Sequence, residues 1–500
     1  MRTAIVSIAL PFLAAARSQC DTPPLTLTWT NTTVTQDGLG VARGIELSIG
    51  TPRQIFAFRP ITALNNTRIN NVLNCGSAAN NSCVGELGGT FDPSKSESYA
   101  VSMKSQWNGT MAEEEDGKKA YVYLNDEVGF QGGGSVEGFP LVMSGGGGAQ
   151  SGLSLGTNSS FLRAAVAGGV APSEVFGLWS GSRGVDHPRD GQLFVGGYDR
   201  ARVGPTASFS TFPVAQWSLE RACPLQVTIT DLRYAGLPLL PNGTNKLIAC
   251  IEPAIHRLVF PPEIAEKFAN YTSHNPTAHP GRLEYDVTKR PTDVLTITLS
   301  NGYSTGISNE ELFAPLRTHD ENGRYAIIND RVVEAFVADT RGVDPADVDT
   351  MLGGLFLTFN YLIVDYAKGE FKLASAVSAA AEDVDPDPTV VCTPSNTPST
   401  SPWPPTSPKS STSGGGGSKN GGMIVGAVVG SVAAVALLGS AGFLLFRRRG
   451  RVKEMLLRET YARPHMDVAK QPLEMMANEV HELPTSRQSS FRKLEGWMRQ

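Results

Sequence analysis

Positive charge is in short supply: 43 Lys and Arg stand against 48 Asp and Glu, for a net charge of −5 over 500 residues. Nucleic-acid binding needs a clustered cationic face. The basic residues that cluster along this sequence, Arg447, Arg448, Arg449, Arg451 and Lys453, follow directly on an apolar run, so nucleic acid is excluded as a partner class. Metal chemistry has little to draw on, because the seven His and six Cys fall into no zinc-ligand spacing, and no cofactor is expected. No nucleophile elbow is expected, and His187, His256, Arg257 and His279 read as ordinary polar residues. The glycine clusters at 132–134 and 145–148 lack the strand, helix and Lys context of a phosphate loop and read as flexible loops. Long helical patterns are scarce as well, which turns attention to β structure.

Residues 1–18 carry a basic start at Arg2, an apolar run from Ala4 to Leu13 and small residues at Ala14 and Ala16, the pattern of a secretory signal. Secretion makes an oxidising compartment the setting for Cys20, Cys75, Cys83, Cys223, Cys250 and Cys392, an even set that suits disulfides. Glycosylation sequons fall at Asn31, Asn65, Asn80, Asn108, Asn158, Asn242 and Asn270, all upstream of the long apolar run. From Ser375 to Gly422 the composition turns acidic, then Ser/Thr/Pro-rich, then Gly-rich, as in an extended stalk that buries no core. Met423–Phe446 is uncharged over more than the ~20 residues a membrane helix needs, and the basic flank puts residues 447–500 in the cytoplasm. Gly422, at its edge, and Gly426 and Gly430 within it form a small-residue stripe suited to self-association.

Between Leu25 and Leu373 short alternating apolar runs are broken by Gly, Pro, Asn and Asp, which predicts a mostly β domain. Ala120–Leu124, Leu225–Thr230 and Val294–Leu299 read as strands, and Pro262–Asn270 as a short helix with Glu263 and Glu266 near its N-terminal end.

Several segments resemble pepsin-like aspartic peptidases, the peptidase A1 family, in order along the chain. Gly50-Thr-Pro-Arg-Gln54 resembles the turn that enters the family's first active-site strand, and Phe91-Asp-Pro-Ser-Lys-Ser-Glu-Ser-Tyr99 resembles a surface segment that follows. Asn125–Val128 is similar to the strand after the flap hairpin, although the expected flap position, Glu113–Asp116, carries no Tyr. Gly191–Asp199 resembles the end of the N-lobe, and Met351–Asp365 the closing segment of the C-lobe. The resemblance implies a bilobal fold over residues 19–374, with an N-lobe at about 40–215 and a C-lobe at about 220–374, and a Cys75–Cys83 loop. The chain is similar to fungal membrane-anchored members with altered active-site motifs.

Where the family has its first catalytic Asp this sequence has Ile61, followed by Thr62, Ala63 and Leu64. The second falls on Glu252, followed by Pro253 and Ala254. Paired-carboxylate hydrolysis needs two acids that share a proton and hold a water, and Ile61 can do neither. The reading is therefore an inactive peptidase domain at the cell surface, taking a peptide, glycan or protein ligand in its cleft, with Glu252 a desolvated acid or one held by a donor. An active membrane-anchored endopeptidase with an atypical site is the alternative. Arg59, if inward-facing, would pair with Glu252.

The topology gives a first prediction. Protease added to intact cells should leave a tag at the C-terminus intact, and loss of that tag would contradict a cytoplasmic tail.

Overall fold

The computed structural model describes residues 21–392, apart from 77–79, 103–106, 111–120, 145–148, 185–186, 205, 217–222, 245, 275–281, 321, 341–349 and 378–383. The signal segment, the acidic run Glu113–Asp116, His279, Met423–Phe446 with its glycine stripe, and the cytoplasmic tail lie outside the described residues. Among the described residues no helix is long and apolar enough to cross a membrane.

The fold is mostly β, as the alternating pattern predicts, and bilobal-like, as the resemblance implies. Leu25–Thr33 shows how sequence sets the layers: Leu25, Leu27 and Trp29 point into the core while the intervening threonines face outward. In the first lobe six strands close into a barrel. Val41–Ile49 pairs with Gln54–Ile61, then follow Gly152–Ser154, Arg68–Asn70, Ser135–Ser144 and Tyr121–Phe130, which pairs back onto Val41–Ile49. Closure removes free sheet edges.

Two of the segments singled out in the sequence are partners here. Gln54 donates from Nε2 to the Asp92 carbonyl at 3.0 Å and accepts from the Asp92 N–H at 2.8 Å, so the entry turn holds the Phe91–Tyr99 segment by both faces of one amide. Gly50, at φ +82°, makes room for this turn, since a Cβ there would lie 2.5 Å from Ser96 Oγ. Buried Asp126 then accepts from the Ser96 and Ser98 hydroxyls at 2.9 and 2.6 Å.

The second lobe is built on a sheet in the order Ser304–Ile307, Leu295–Leu299, Gln226–Tyr234, Leu247–Ile251, Thr350–Leu352, Leu258–Phe260 and Val337–Asp339. A further hairpin, Phe313–His319 and Tyr325–Ala335, carries Glu284–Asp286 on its edge. The helix expected at Pro262–Asn270 forms at Pro262–Tyr271, with Ile264, Ala265 and Phe268 buried. Strands from both halves make a shared bridge between the lobes, ordered Ser210–Pro213, Glu370–Ser375, Asn360–Asp365, Phe176–Trp179, Gly191–Val195 and Leu25–Thr33. Buried Tyr361 ties the closing segment to the Gly191–Asp199 segment, its hydroxyl accepting from the Asp199 N–H at 2.8 Å.

Each lobe repeats one local arrangement. Arg59-Pro60-Ile61 runs parallel to Gly152-Leu153-Ser154, and Ala249-Cys250-Ile251 runs parallel to Thr350-Met351-Leu352. A glycine follows each partner strand where backbones close in. A Cβ on Gly156 would lie 2.6 Å from the Leu64 carbonyl oxygen, and one on Gly353 would lie 2.0 Å from that of Ile255.

Cys75 and Cys83 are bridged as the resemblance implies, and Cys223 pairs with Cys250. Cys392 is disulfide-bonded too. Described residues within the segment expected as stalk pack onto the fold. Pro388–Val390 pairs with Gly197–Asp199, and Arg200 meets Asp387 at 2.7 Å. Acidic, Pro-bearing composition hides this addition, since an edge strand tolerates Pro and needs few apolar residues.

Gly353→Ala should lower stability by about 1–3 kcal/mol through this backbone clash, read as a fall in melting temperature. An unchanged melting curve would show that the second lobe can open around its parallel pair.

Candidate functional site

Ile61 is the last residue of its strand, and Thr62-Ala63-Leu64 turns sharply beneath it. Glu252 follows the Leu247–Ile251 strand, its N–H donating to the Leu352 carbonyl at 3.1 Å. The two substituted positions meet where the lobes touch. One Glu252 carboxyl oxygen accepts from the Thr62 N–H at 3.3 Å and the Ala254 N–H at 3.1 Å. The other accepts from the Ala63 N–H at 3.1 Å and lies 2.9 Å from the Thr62 hydroxyl. That hydroxyl is also 3.2 Å from the Ile251 carbonyl, with one proton to share between the two.

The longer arm of Glu lets its carboxyl reach donors on both lobes, and Ala254 supplies the N–H that Pro253 cannot. Ile61, Ala63, Leu64 and Ala254 pack as an apolar jacket, leaving Glu252 only 2% exposed. Gly152 makes room for Ile61, since a Cβ there would sit 2.6 Å from the Ile61 Cδ1.

Burial pushes the Glu252 carboxyl up to about 7, and the bonds from Ala254, Thr62 and Ala63 work against that rise without cancelling it. An acid titrating there could in principle move protons near neutrality. Its two oxygens are already occupied by four donors, however, and the facing side chain is a hydrocarbon. Among the described residues no other carboxylate bonds to this turn. The arrangement can clamp two loops together; it offers no pair of acids to hold and activate a water.

Comparison with known families and with curated proteins finds no match for this chain.

Arg59 does not reach Glu252. It lies beside Gln150 instead, donating from Nε to Oε1 at 2.6 Å, in a cavity of about 490 Å³ between the lobes. His256 and Arg257, read from sequence as ordinary, also line this cavity. The fold gathers Arg43, Arg183 and Arg317 there too, so positive charge clusters in space where it does not along the chain. Arg59 did carry a signal, the single charge inside a largely apolar strand, whereas Arg43 shares its strand with Glu46. Arg183 and Arg317 carried none, being distant in sequence.

Gly152-Leu-Ser154-Leu-Gly156 has the spacing of a nucleophile elbow, which the sequence reading passed over. Ser154 is 0% exposed, and its hydroxyl partners are Thr67, Ser159 and the Phe161 N–H, with no His among them. It is a packing residue. Of the sequon residues, Asn31, Asn80, Asn158, Asn242 and Asn270 are exposed and Asn108 is half-buried. Asn65 is 1% exposed, and its side-chain oxygen accepts from the Asn158 N–H, so the folded chain has no room for a glycan there.

The raised Glu252 carboxyl has a definite pH signature. Its folded value lies above the ordinary 4.5, so its contribution is complete below about pH 4.5 and is lost as pH rises through about 7. The loss is at most about 3 kcal/mol. Neutral, buried His256, held well below its usual range by burial and nearby arginines, slopes the opposite way. The difference between the parent and Glu252→Gln therefore isolates the acid. Denaturant unfolding from pH 4 to 8 should show the parent's margin over Glu252→Gln shrinking as pH rises, and a constant margin would mean the carboxyl is not desolvated.

Proposed function

We propose that this chain is a cell-surface pseudopeptidase: a pepsin-like, peptidase A1-type bilobal domain that binds a ligand between its lobes without hydrolysing it, carried on a single-pass membrane anchor. The observation that carries the proposal is the Glu252 carboxyl, held by donors from both lobes opposite Ile61. The closed barrel, the shared bridge and the repeated parallel pairs support the pepsin-like reading. Loss of acid or base assistance alone costs a factor of ~10² to 10⁴, and loss of the water-holding pair adds to it.

What remains useful is the inter-lobe space. The cavity beside the clamp is of a size that suits a small ligand or one residue of a larger one. The signal segment, the sequons and the apolar run support the surface location, and the stalk would hold the binding domain clear of the bilayer.

The full-length chain, incubated with an unstructured protein substrate from pH 3 to 7, should show no cleavage that a transition-state-mimicking aspartic-peptidase inhibitor blocks. Inhibitor-sensitive cleavage that disappears in Glu252→Gln would overturn the proposal in favour of an atypical active peptidase.

A further inference from the structure

The cavity between the lobes collects five guanidinium groups, from Arg43, Arg59, Arg183, Arg257 and Arg317, against the two carboxylates of Glu86 and Glu334. Glu86 is exposed, and Glu334 is already taken by Arg257 at 2.8 Å, with Arg282 at 3.9 Å. Asp190, outside the lining, stands 3.6 Å from Arg43 and is 53% exposed. Glu311 is bound by the Ser182 hydroxyl and the Arg183 N–H. The remaining arginines have only neutral partners among the described residues. Arg59 donates to Gln150, Arg317 to the Arg183 carbonyl at 2.8 Å, and Arg183 lies 3.4 Å from the Tyr325 hydroxyl.

Each guanidinium offers five donors, so most of theirs remain free. Three further nitrogens of the lining, Arg43 Nε, His256 Nε2 and His319 Nε2, are buried without a hydrogen-bond partner. The Arg43 side chain is only 10% exposed.

Burying like charges together without a counter-charge is costly, and the groups register it. Burial and then the nearby Arg183 pull both Arg43 and Arg59 down to about 10. A fold gains nothing in stability from such a cluster. It gains a binding site if an anion completes it.

We propose that this cavity binds a compact oxyanion of the phosphate or sulfate class, free or as the ester group of a small molecule. Forks converging from strands 41–49 and 54–61 of one lobe and 313–319 of the other suit a tetrahedral group with three or four acceptor oxygens better than a flat carboxylate with two. The hairpin that carries Arg317 reaches the first lobe, where the Val41 N–H donates to the Gly323 carbonyl at 2.8 Å, so the site is walled by both lobes. A volume of about 490 Å³ leaves room for a sugar-sized group beyond the oxyanion. This names the ligand class for the binding role proposed above and rests on that role.

The test is calorimetric titration of the full-length chain with inorganic phosphate, sulfate, pyrophosphate and glucose 6-phosphate at constant ionic strength. Saturable binding of at least one is expected, with a raised melting temperature. Arg59→Gln and Arg183→Gln should each weaken it about tenfold or more, while Lys372→Gln, half-buried and outside the cavity lining, should leave it unchanged. Tighter binding of glucose 6-phosphate than of phosphate would support an ester ligand, and equal affinities a free anion. No saturable binding of any of the four, or parental affinity in both arginine variants, would overturn the proposal. Should Arg59→Gln fail to fold, Arg183→Gln decides alone, since among the described residues the Arg183 guanidinium has only the Tyr325 hydroxyl to lose. A chain that binds sulfate yet cuts peptides keeps this site and loses the inactive reading; one that does neither loses only this site.

Discussion

One carboxyl group joins the two lobes. Glu252 leaves the end of a strand in the second lobe and is bonded by the Thr62 and Ala63 amides of the first and by Ala254 of its own, in a pocket closed by Ile61 and Leu64. Deleting it would strand three buried N–H groups, and each unsatisfied donor costs about 1–3 kcal/mol. That penalty adds to the shared bridge of strands in holding the interface. It also explains how the substitutions fit together: Ile61 fills the space a second acid would need, Glu reaches further than Asp, and Ala254 supplies a donor next to a proline that has none. The residues that would disable hydrolysis are the ones that make the contact dry and tight.

Much of this was legible in the sequence because it rests on local signals. Alternation over Leu25–Thr33 and Gln226–Tyr234 marks strands, and the Gly50–Gln54 and Phe91–Tyr99 segments pointed to a fold in which Gln54 and Asp92 turn out to be bonded. The meeting of the 61 and 252 positions was implied by the resemblance to pepsin-like peptidases, whose two catalytic positions they occupy. Other features were out of reach. Arg59 would have paired with Glu252 only if it faced inward, and Gln150, some ninety positions away, takes it instead. The strand at Pro388–Val390 is three residues of an otherwise stalk-like segment and is defined only by its partner. Asn65 has a sequon's spacing, yet its neighbours bury it. In each case the deciding partner is distant in sequence.

The arginine cavity illustrates the same limit for function. An acidic chain with dispersed Arg residues gives little hint of an anion site beyond the lone charge at Arg59, and only the fold brings Arg43, Arg59, Arg183 and Arg317 into one cavity. The two features of the interface then differ in kind. The Glu252 contact is satisfied, apolar at its rim and stabilising, whereas the arginine cluster is unsatisfied and strained by its own charge. The Glu252 contact and the arginine cavity occupy neighbouring parts of one inter-lobe surface, with Ala254 lying in the first and lining the second.

The central claim is that no water is activated between Ile61 and Glu252. Its most direct measure is oxygen exchange: the full-length chain is held with short peptides in ¹⁸O-labelled water at pH 3 to 7, and label entering their terminal carboxyl groups is followed by mass spectrometry. The account predicts incorporation no faster than in buffer alone. Faster incorporation that vanishes in Glu252→Gln would contradict it.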